Sequence, residues 1–330
     1  MSSLSVLECR KSLMHGLIPA VPVPFTASGQ IDATGQQRYV AYMASQPVAG
    51  VAVWAHTGRG LLLSRGQRIQ VLRAWRDGLG SGKLLIAGVG GSLQYARDGV
   101  AFVNSALSMA EDALEHGAQA LMAYAPTPFR QSNQCQDLTL DYHRQLASLG
   151  APLVLFYLYE AAGGISYSQG LLRELLALSE VVGIKLATLD SVMTFQDVAS
   201  LIRRDFPEKL LITGEDRFLG YSLMCGAEAA LIGMGAACTG LQLDLMQAFF
   251  QGRSAEFLTL SRLVDELGEV LFVSPMEGYI RRVLWALVQE GIIGRESSYD
   301  PWGPELREDE FPEISSVLRR VGQLEPTKGN

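Results

Sequence analysis

The chain has 330 residues, 48% of them hydrophobic, and a formal net charge of −7 at neutral pH. With no lysine- or arginine-rich run in it, this balance argues against nucleic acid or an anionic membrane as the main partner. No stretch approaches the roughly 18 apolar residues of a membrane helix, and the first residues lack the apolar core and small-residue cleavage site of a secretion signal. Cys9, Cys135, Cys225 and Cys238 show no Cys-x-x-Cys spacing and no two form a metal half-site with a nearby histidine, so they read as free thiols. A cytoplasmic protein acting on small molecules, without metal or cofactor, is the expectation.

Residues 1–15 are weakly patterned and read as a tail or short helix. Over 17–25 three prolines punctuate a β-like run, tolerable only where the missing N–H is not needed, and 36–43 reads as helix. A regular alternation follows. Apolar strands are predicted at 50–54, 84–89, 120–124, 153–157, 181–187, 210–213 and 229–232. Helices are predicted between and after them, at 67–78, 100–115, 138–149, 168–178, 191–205, 218–225 and 241–251.

Eight strands, each followed by a helix, call for parallel pairing with right-handed crossovers. Runs apolar on both faces fit a sheet covered on both sides. An α/β fold of the (β/α)8 TIM-barrel type uses all eight units without leaving an edge. The expected organisation is a tail at 1–15, a barrel catalytic domain at 16–252 and a C-terminal helical extension at 253–330. That extension has helices over 255–271, 278–289 and 313–321, and a polar and aromatic loop at 299–304.

One of only five lysines, Lys185, sits inside the apolar run Val181-Val182-Gly183-Ile184-Lys185-Leu186-Ala187. Burying an ammonium is costly unless it is paired or gives up its proton, and an amine that gives it up is a nucleophile. A lysine at a strand end that reaches solvent or meets a carboxylate fits the same stretch. In a parallel barrel the reactive groups lie at the carboxyl ends of the strands. Those ends carry His56, Thr57, Gly58 and Arg59 after the second strand, and Thr127 and Arg130 after the fourth. Tyr157, Tyr159 and Glu160 follow at the fifth, and Gly214, Glu215 and Asp216 after the seventh. Tyr157 and Lys185 end neighbouring strands, and a phenol beside an amine suits carbonyl chemistry: the amine forms an iminium and the phenol relays protons.

The opening Gly16-Leu17-Ile18-Pro19-Ala20-Val21-Pro22-Val23-Pro24-Phe25, the loop Ala55-His56-Thr57-Gly58-Arg59, the run Ala87-Gly88-Val89-Gly90 and the stretch Val182-Gly183-Ile184-Lys185-x-Ala187-Thr188 together resemble the dihydrodipicolinate synthase and N-acetylneuraminate lyase family. These are class I, Schiff-base (β/α)8 aldolases, and the likeness runs from about Leu17 to Leu306. Tyr157 precedes Lys185 by 28 positions, the separation usual between the family's tyrosine and lysine. The resemblance implies that Lys185 is the Schiff-base lysine, Tyr157 the proton shuttle and Thr57, with Gly58 beside it, the holder of the 2-oxo acid carboxylate. It also implies that His56 takes the place of a relay hydroxyl, where an imidazole can serve as acid, base or donor.

Departures from the family pattern bear on the substrate. Ala162 stands where dihydrodipicolinate synthases have an arginine for the second substrate's carboxylate. The segment after the fourth strand, Pro126-Thr127-Pro128-Phe129-Arg130-Gln131, lacks the second tyrosine, and the usual Asn-x-Pro after the fifth strand is missing. Lysine-pathway synthesis is therefore not expected. Asp216 matches a position where sialic acid lyases hold sugar hydroxyls, with a helix N-cap as its other reading. Glu160 reads equally as a substrate ligand or a solvated charge, and Arg59 and Arg130 are candidates for a distal carboxylate.

The expected activity is a class I aldolase acting on a pyruvate-type 2-oxo acid. A dehydratase of a 2-keto-3-deoxy sugar acid would use the same iminium, and a catalytically silent barrel that binds a small acid is the reading of another class. A homotetramer or dimer is implied by the resemblance.

Overall fold

The computed structural model describes residues 4–322. Eight parallel strands form a single sheet: β1 (Leu17–Pro19), β2 (Gly50–Val53), β3 (Leu84–Val89), β4 (Ala120–Ala123), β5 (Leu153–Leu158), β6 (Val181–Ala187), β7 (Leu210–Thr213) and β8 (Ala229–Ile232). Each strand pairs with its sequence neighbour, and β1 pairs with β8. The ring is closed by the Ala20–Ala52 bridge and the 3.1 Å hydrogen bond from the Val21 N–H to the Ala52 carbonyl. This is the expected (β/α)8 barrel with added helices.

The helices are α1 (Val6–Leu13), α2 (Ala33–Ser45), α3 (Arg65–Gly78), α4 (Gly99–Glu115), α5 (Cys135–Ala147), α6 (Gln169–Leu176), α7 (Val192–Asp205), α8 (Leu219–Met224), α9 (Thr239–Phe250), α10 (Ser254–Leu271), α11 (Tyr279–Gln289) and α12 (Glu310–Arg320). Side-chain caps mark several of the starts. Ser64 and Gln67 form a capping box on α3, and Asp32, Asp98, Ser168 and Ser191 cap α2, α4, α6 and α7. Residues 6–13, expected as part of a tail or short helix, form α1. Its Cys9 and Leu13 are fully buried in the same apolar cluster as Val182 and Leu210.

Side chains alternate between two apolar clusters. Ile86, Met122, Phe156 and Ile212 fill the barrel, while Leu85, Leu121, Leu155 and Leu211 pack outward against the helices. This period-2 alternation decides what enters the cavity. Among the described residues no helix is long and apolar enough to cross a membrane, and all four cysteines are free.

Candidate active site

Lys185 faces into the barrel. It stands in register with Phe156 on β5 and Ile212 on β7, both interior residues, and its Nζ lies 4.3 Å from the centre of the Phe156 ring. The side chain is only 6% exposed. Burial pulls the amine down to about 8, against the opposing pull of Asp216 and Glu215. Gly214 leaves room for it, since a Cβ there would come within 2.6 Å of the Lys185 Cε.

The amine opens on a narrow cavity of about 50 Å³ at the carboxyl ends of the strands, shared with His56, Thr57, Tyr159, Asp216, Glu277 and Tyr279. Burial pushes Asp216 up to about 7, and its Oδ1 accepts the Met234 N–H at 2.7 Å. Glu215, fully buried, is also pushed up to about 7 by burial. It accepts from the Thr188 N–H and hydroxyl at 2.5 and 2.8 Å and from the Leu189 N–H at 3.1 Å, so it shapes the turn after β6.

Thr57 shares a hydrogen bond of 2.9 Å with the Tyr279 hydroxyl. Tyr279 begins α11, so the C-terminal extension supplies part of the cavity wall. Phe272 stacks on the Tyr279 ring with centroids 4.5 Å apart. Gly233 permits this convergence, because a Cβ there would meet both the Thr57 Oγ1 and the Tyr279 Cε2 at 3.0 Å. Gly58 does not line the cavity. Its N–H donates to the Ala55 carbonyl at 2.9 Å, and a side chain there would press on the Val21 carbonyl.

Arg59 does not present a free guanidinium. Held at φ 52°, a conformation uncommon for a side chain of its size, it donates to Asp300 from Nε and Nη2 at 3.2 and 2.7 Å and to Glu277 from Nη1 at 2.5 Å. The other oxygen of Glu277 accepts from the His56 Nε2 at 2.8 Å. The bonds from His56 and Arg59 hold the Glu277 carboxyl down at about 2. Arg130 and Glu160 also stand apart from the cavity lining: Arg130 donates to the Glu160 carbonyl at 3.3 Å, and the Glu160 carboxylate accepts from Ser166 at 2.7 Å.

Tyr157 is not brought to Lys185. It packs with the outward cluster, edge-on to Tyr167 at 5.3 Å, with its hydroxyl against Ser166. The cause lies in the register. Leu153 pairs with Val181 and Val154 with Gly183, so β6 carries one extra residue, Val182. From there the strand position opposite Lys185 is Phe156, and the residue 28 places before the lysine turns its face the other way. The expected phenol–amine pairing through Tyr157 is therefore corrected. The phenols that line the cavity are Tyr159 and Tyr279. Sequence reasoning missed Tyr279, Glu277 and the anchoring Asp300 because they lie in helices and loops read only as an extension. The polar loop at 299–304 was their one visible signal.

Among the described residues no group of three or more histidine, cysteine, aspartate or glutamate side chains could hold a metal ion. A larger groove of about 720 Å³ runs outside the barrel past Arg65, Arg68, Asn104 and Asp112, away from the lysine.

Residues 13–321 match the profile of the dihydrodipicolinate synthetase family. The chain belongs to that family. N-acetylneuraminate lyase 2 of Escherichia coli O6:H1 is 24% identical over 307 residues, covering 93% of this chain and 94% of that protein. The 4-hydroxy-tetrahydrodipicolinate synthase of a Synechococcus species is 24% identical over 315 residues, covering 95% and 96%. Among solved structures, the Escherichia coli K12 prophage protein YagE in complex with pyruvate superposes with a TM-score of 0.80 at 19% identity, covering 94% of this chain and 99% of that one. The wild-type Ruminococcus gnavus sialic acid aldolase gives 0.79 at 20%, covering 94% and 98%. At these identities the structural likeness speaks for the fold, and the chain is a divergent member of a family of aldolase-type lyases.

Proposed function

We propose that this family member is a class I aldolase in which the Lys185 amine attacks the ketone of a pyruvate-type 2-oxo acid. The observation that carries the reading is a buried amine, lowered to about 8, opening on a cavity at the carboxyl ends of the strands. An amine there is a nucleophile near neutral pH, and the iminium it forms draws electrons from the bond to be broken without help from a metal. Thr57 holds the carboxylate. Asp216 and the His56–Glu277 pair face the rest of the substrate.

The cavity's charge supports a distal fragment rich in hydroxyls. Lys185 is the one lysine or arginine lining it among the described residues, while Asp216 and Glu277 are both carboxyl groups. With Arg59 committed to Asp300 and Glu277, a second carboxylate would meet like charge, whereas hydroxyls find acceptors. This favours a sugar-acid-derived substrate over a dicarboxylate. The volume, room for roughly four water-sized spheres, suits a three-carbon oxo acid, with a longer chain leaving past His56. The same features support dehydration of a 2-keto-3-deoxy sugar acid as the second reading.

The cytoplasm is the proposed location, supported by the free thiols. Self-association as a dimer or tetramer is supported by the exposed Leu62, Leu93, Tyr95 and Val100.

Borohydride reduction with pyruvate, followed by peptide mass mapping, tests the chemistry. A pyruvyl adduct is expected on the Lys185 peptide and none in Lys185→Ala. Unmodified protein across several 2-oxo acids would leave only a small-acid-binding barrel. Turnover on 4-hydroxy-2-oxo acids against 2-keto-3-deoxy sugar acids then separates aldolase from dehydratase.

A further inference from the structure

We infer that the phenol of Tyr279, coupled to the Thr57 hydroxyl, is the proton relay for Lys185. The inference rests on the Schiff-base reading above and assigns to the C-terminal extension a catalytic part that Tyr157 cannot play.

Three observations meet here. Tyr157 points outward against Tyr167, so its hydroxyl does not border the cavity. Tyr279 and Thr57 both border it, joined by a 2.9 Å hydrogen bond. Lys185 lines the same small cavity of about 50 Å³, so a 2-oxo acid bound to its amine shares that cavity with both hydroxyls. The ring is also fixed. Phe272 stacks on it, and the absence of a side chain at Gly233 leaves it beside Thr57.

The steps balance with these groups alone. The Lys185 lone pair forms the C–N bond while the carbonyl π pair moves to oxygen, which takes the Tyr279 proton. The nitrogen then releases a proton to the Thr57 oxygen as the Thr57 hydroxyl proton passes to the phenolate, giving the neutral carbinolamine and both hydroxyls restored. In the second step Tyr279 protonates the carbinolamine oxygen, the C–O bond breaks with its electron pair leaving as water, and the nitrogen lone pair forms the iminium. The phenolate left behind, beside the positive iminium and holding the Thr57 hydrogen bond, takes a proton from the adjacent methyl carbon. That gives the enamine and returns the phenol. Burial keeps Tyr279 protonated at rest, with its ionisation well above the usual phenol range, so the relay begins with its proton in place.

Tyr159, which also lines the cavity, is the competing phenol. It lies half-buried in the loop after β5 and no hydroxyl partner ties it to the carboxylate-holding Thr57.

The test uses the full chain and pyruvate. Deuterium exchange into the pyruvate methyl group is followed by NMR in D2O, and adduct formation on Lys185 by timed borohydride quenching. Tyr279→Phe keeps the stacked ring and removes the hydroxyl; Thr57→Val keeps the shape and removes its partner. Both rates are expected to fall about 10²- to 10³-fold in Tyr279→Phe, with a smaller loss in Thr57→Val. Tyr157→Phe should stay within about twofold of wild type, general acid–base effects being much larger. Circular dichroism and thermal melting establish that each variant is folded. A relay role also changes the pH profile of exchange, which a packing defect alone leaves in shape. Wild-type exchange rates in folded Tyr279→Phe overturn the relay but leave the Schiff base standing, and a loss in Tyr159→Phe or Tyr157→Phe instead moves the role to that phenol. No adduct and no exchange in wild type overturns both readings.

Discussion

Replacing Asp216 with asparagine should make Lys185 a better nucleophile at neutral pH, although it removes a charge from the candidate site. The ammonium is disfavoured by burial and partly supported by the negative charge of Asp216. Removing that charge lowers the lysine further below about 8. At a value near 8, about one tenth of the amine is free at pH 7, against roughly three parts in ten thousand for an ordinary lysine at 10.5. The depression therefore provides about 300-fold more nucleophile, and the further gain open to Asp216→Asn at pH 7 is at most about tenfold, since the amine can only become fully free. Asparagine can still accept the Met234 N–H through its carbonyl oxygen, so the loop after β8 keeps its anchor. Competitive carbamylation with cyanate between pH 6 and 10 measures this without turnover. The Lys185 peptide is read against exposed Lys11 as internal reference. Wild type should label with a midpoint near 8 and Asp216→Asn below it. A wild-type Lys185 profile that tracks Lys11, or an upward move in the variant, would refute the account of this cavity's electrostatics.

Gly214→Ala places a methyl within 2.6 Å of the Lys185 Cε and 2.9 Å of the Leu186 carbonyl. It should displace the amine and cut borohydride trapping by about tenfold or more, the scale of a 1.4 kcal/mol misplacement, while circular dichroism still reports a folded barrel. Arg282, fully buried, donates to Glu310 at 2.7 Å and to the carbonyls of Val273 and Pro275 at 2.8 and 3.2 Å. Arg282→Ala leaves those acceptors unpaired and should cost about 3–5 kcal/mol in urea unfolding; a cost under about 1 kcal/mol, the scale of an exposed pair, would contradict it. Glu277, held at about 2 when folded, contributes stability that is complete above its ordinary value of 4.5 and is lost as pH falls toward 2. Glu277→Gln should therefore lose stability less steeply over that window, and equal slopes in acid melts would count against the His56–Glu277–Arg59 linkage.

The alternation of strands and helices was legible because the strands are buried on both faces and so are almost wholly apolar, as in Leu84–Val89 and, Lys185 apart, Val181–Ala187. Boundaries moved where caps act: the helix read from residue 36 starts at Ala33 because Asp32 accepts the Thr34 N–H. Lys185 stood out as a charge in an apolar run, and the structure brings His56, Thr57 and Asp216 to the same cavity. Tyr157 misled because a spacing of 28 implies facing side chains only while the register is unbroken, and the extra Val182 leaves no mark in composition. Arg59 was legible as a cation near the mouth but not as a committed one, since its partners lie 218 and 241 positions away. Tyr279 reaches Thr57 across 222 positions, a proximity that only the folding of α11 over the strand ends creates.

The Arg59–Asp300 link belongs to a seam. Phe25 bridges Tyr299, and Asp32 accepts from Ser297, so the first βα segments are stitched to the last quarter of the chain. Every strand is complete by Ile232, yet Glu277 and Tyr279 come more than forty residues later. A polypeptide ending between those points would contain every strand and Lys185 yet lack the Glu277 and Tyr279 side of the lysine's cavity.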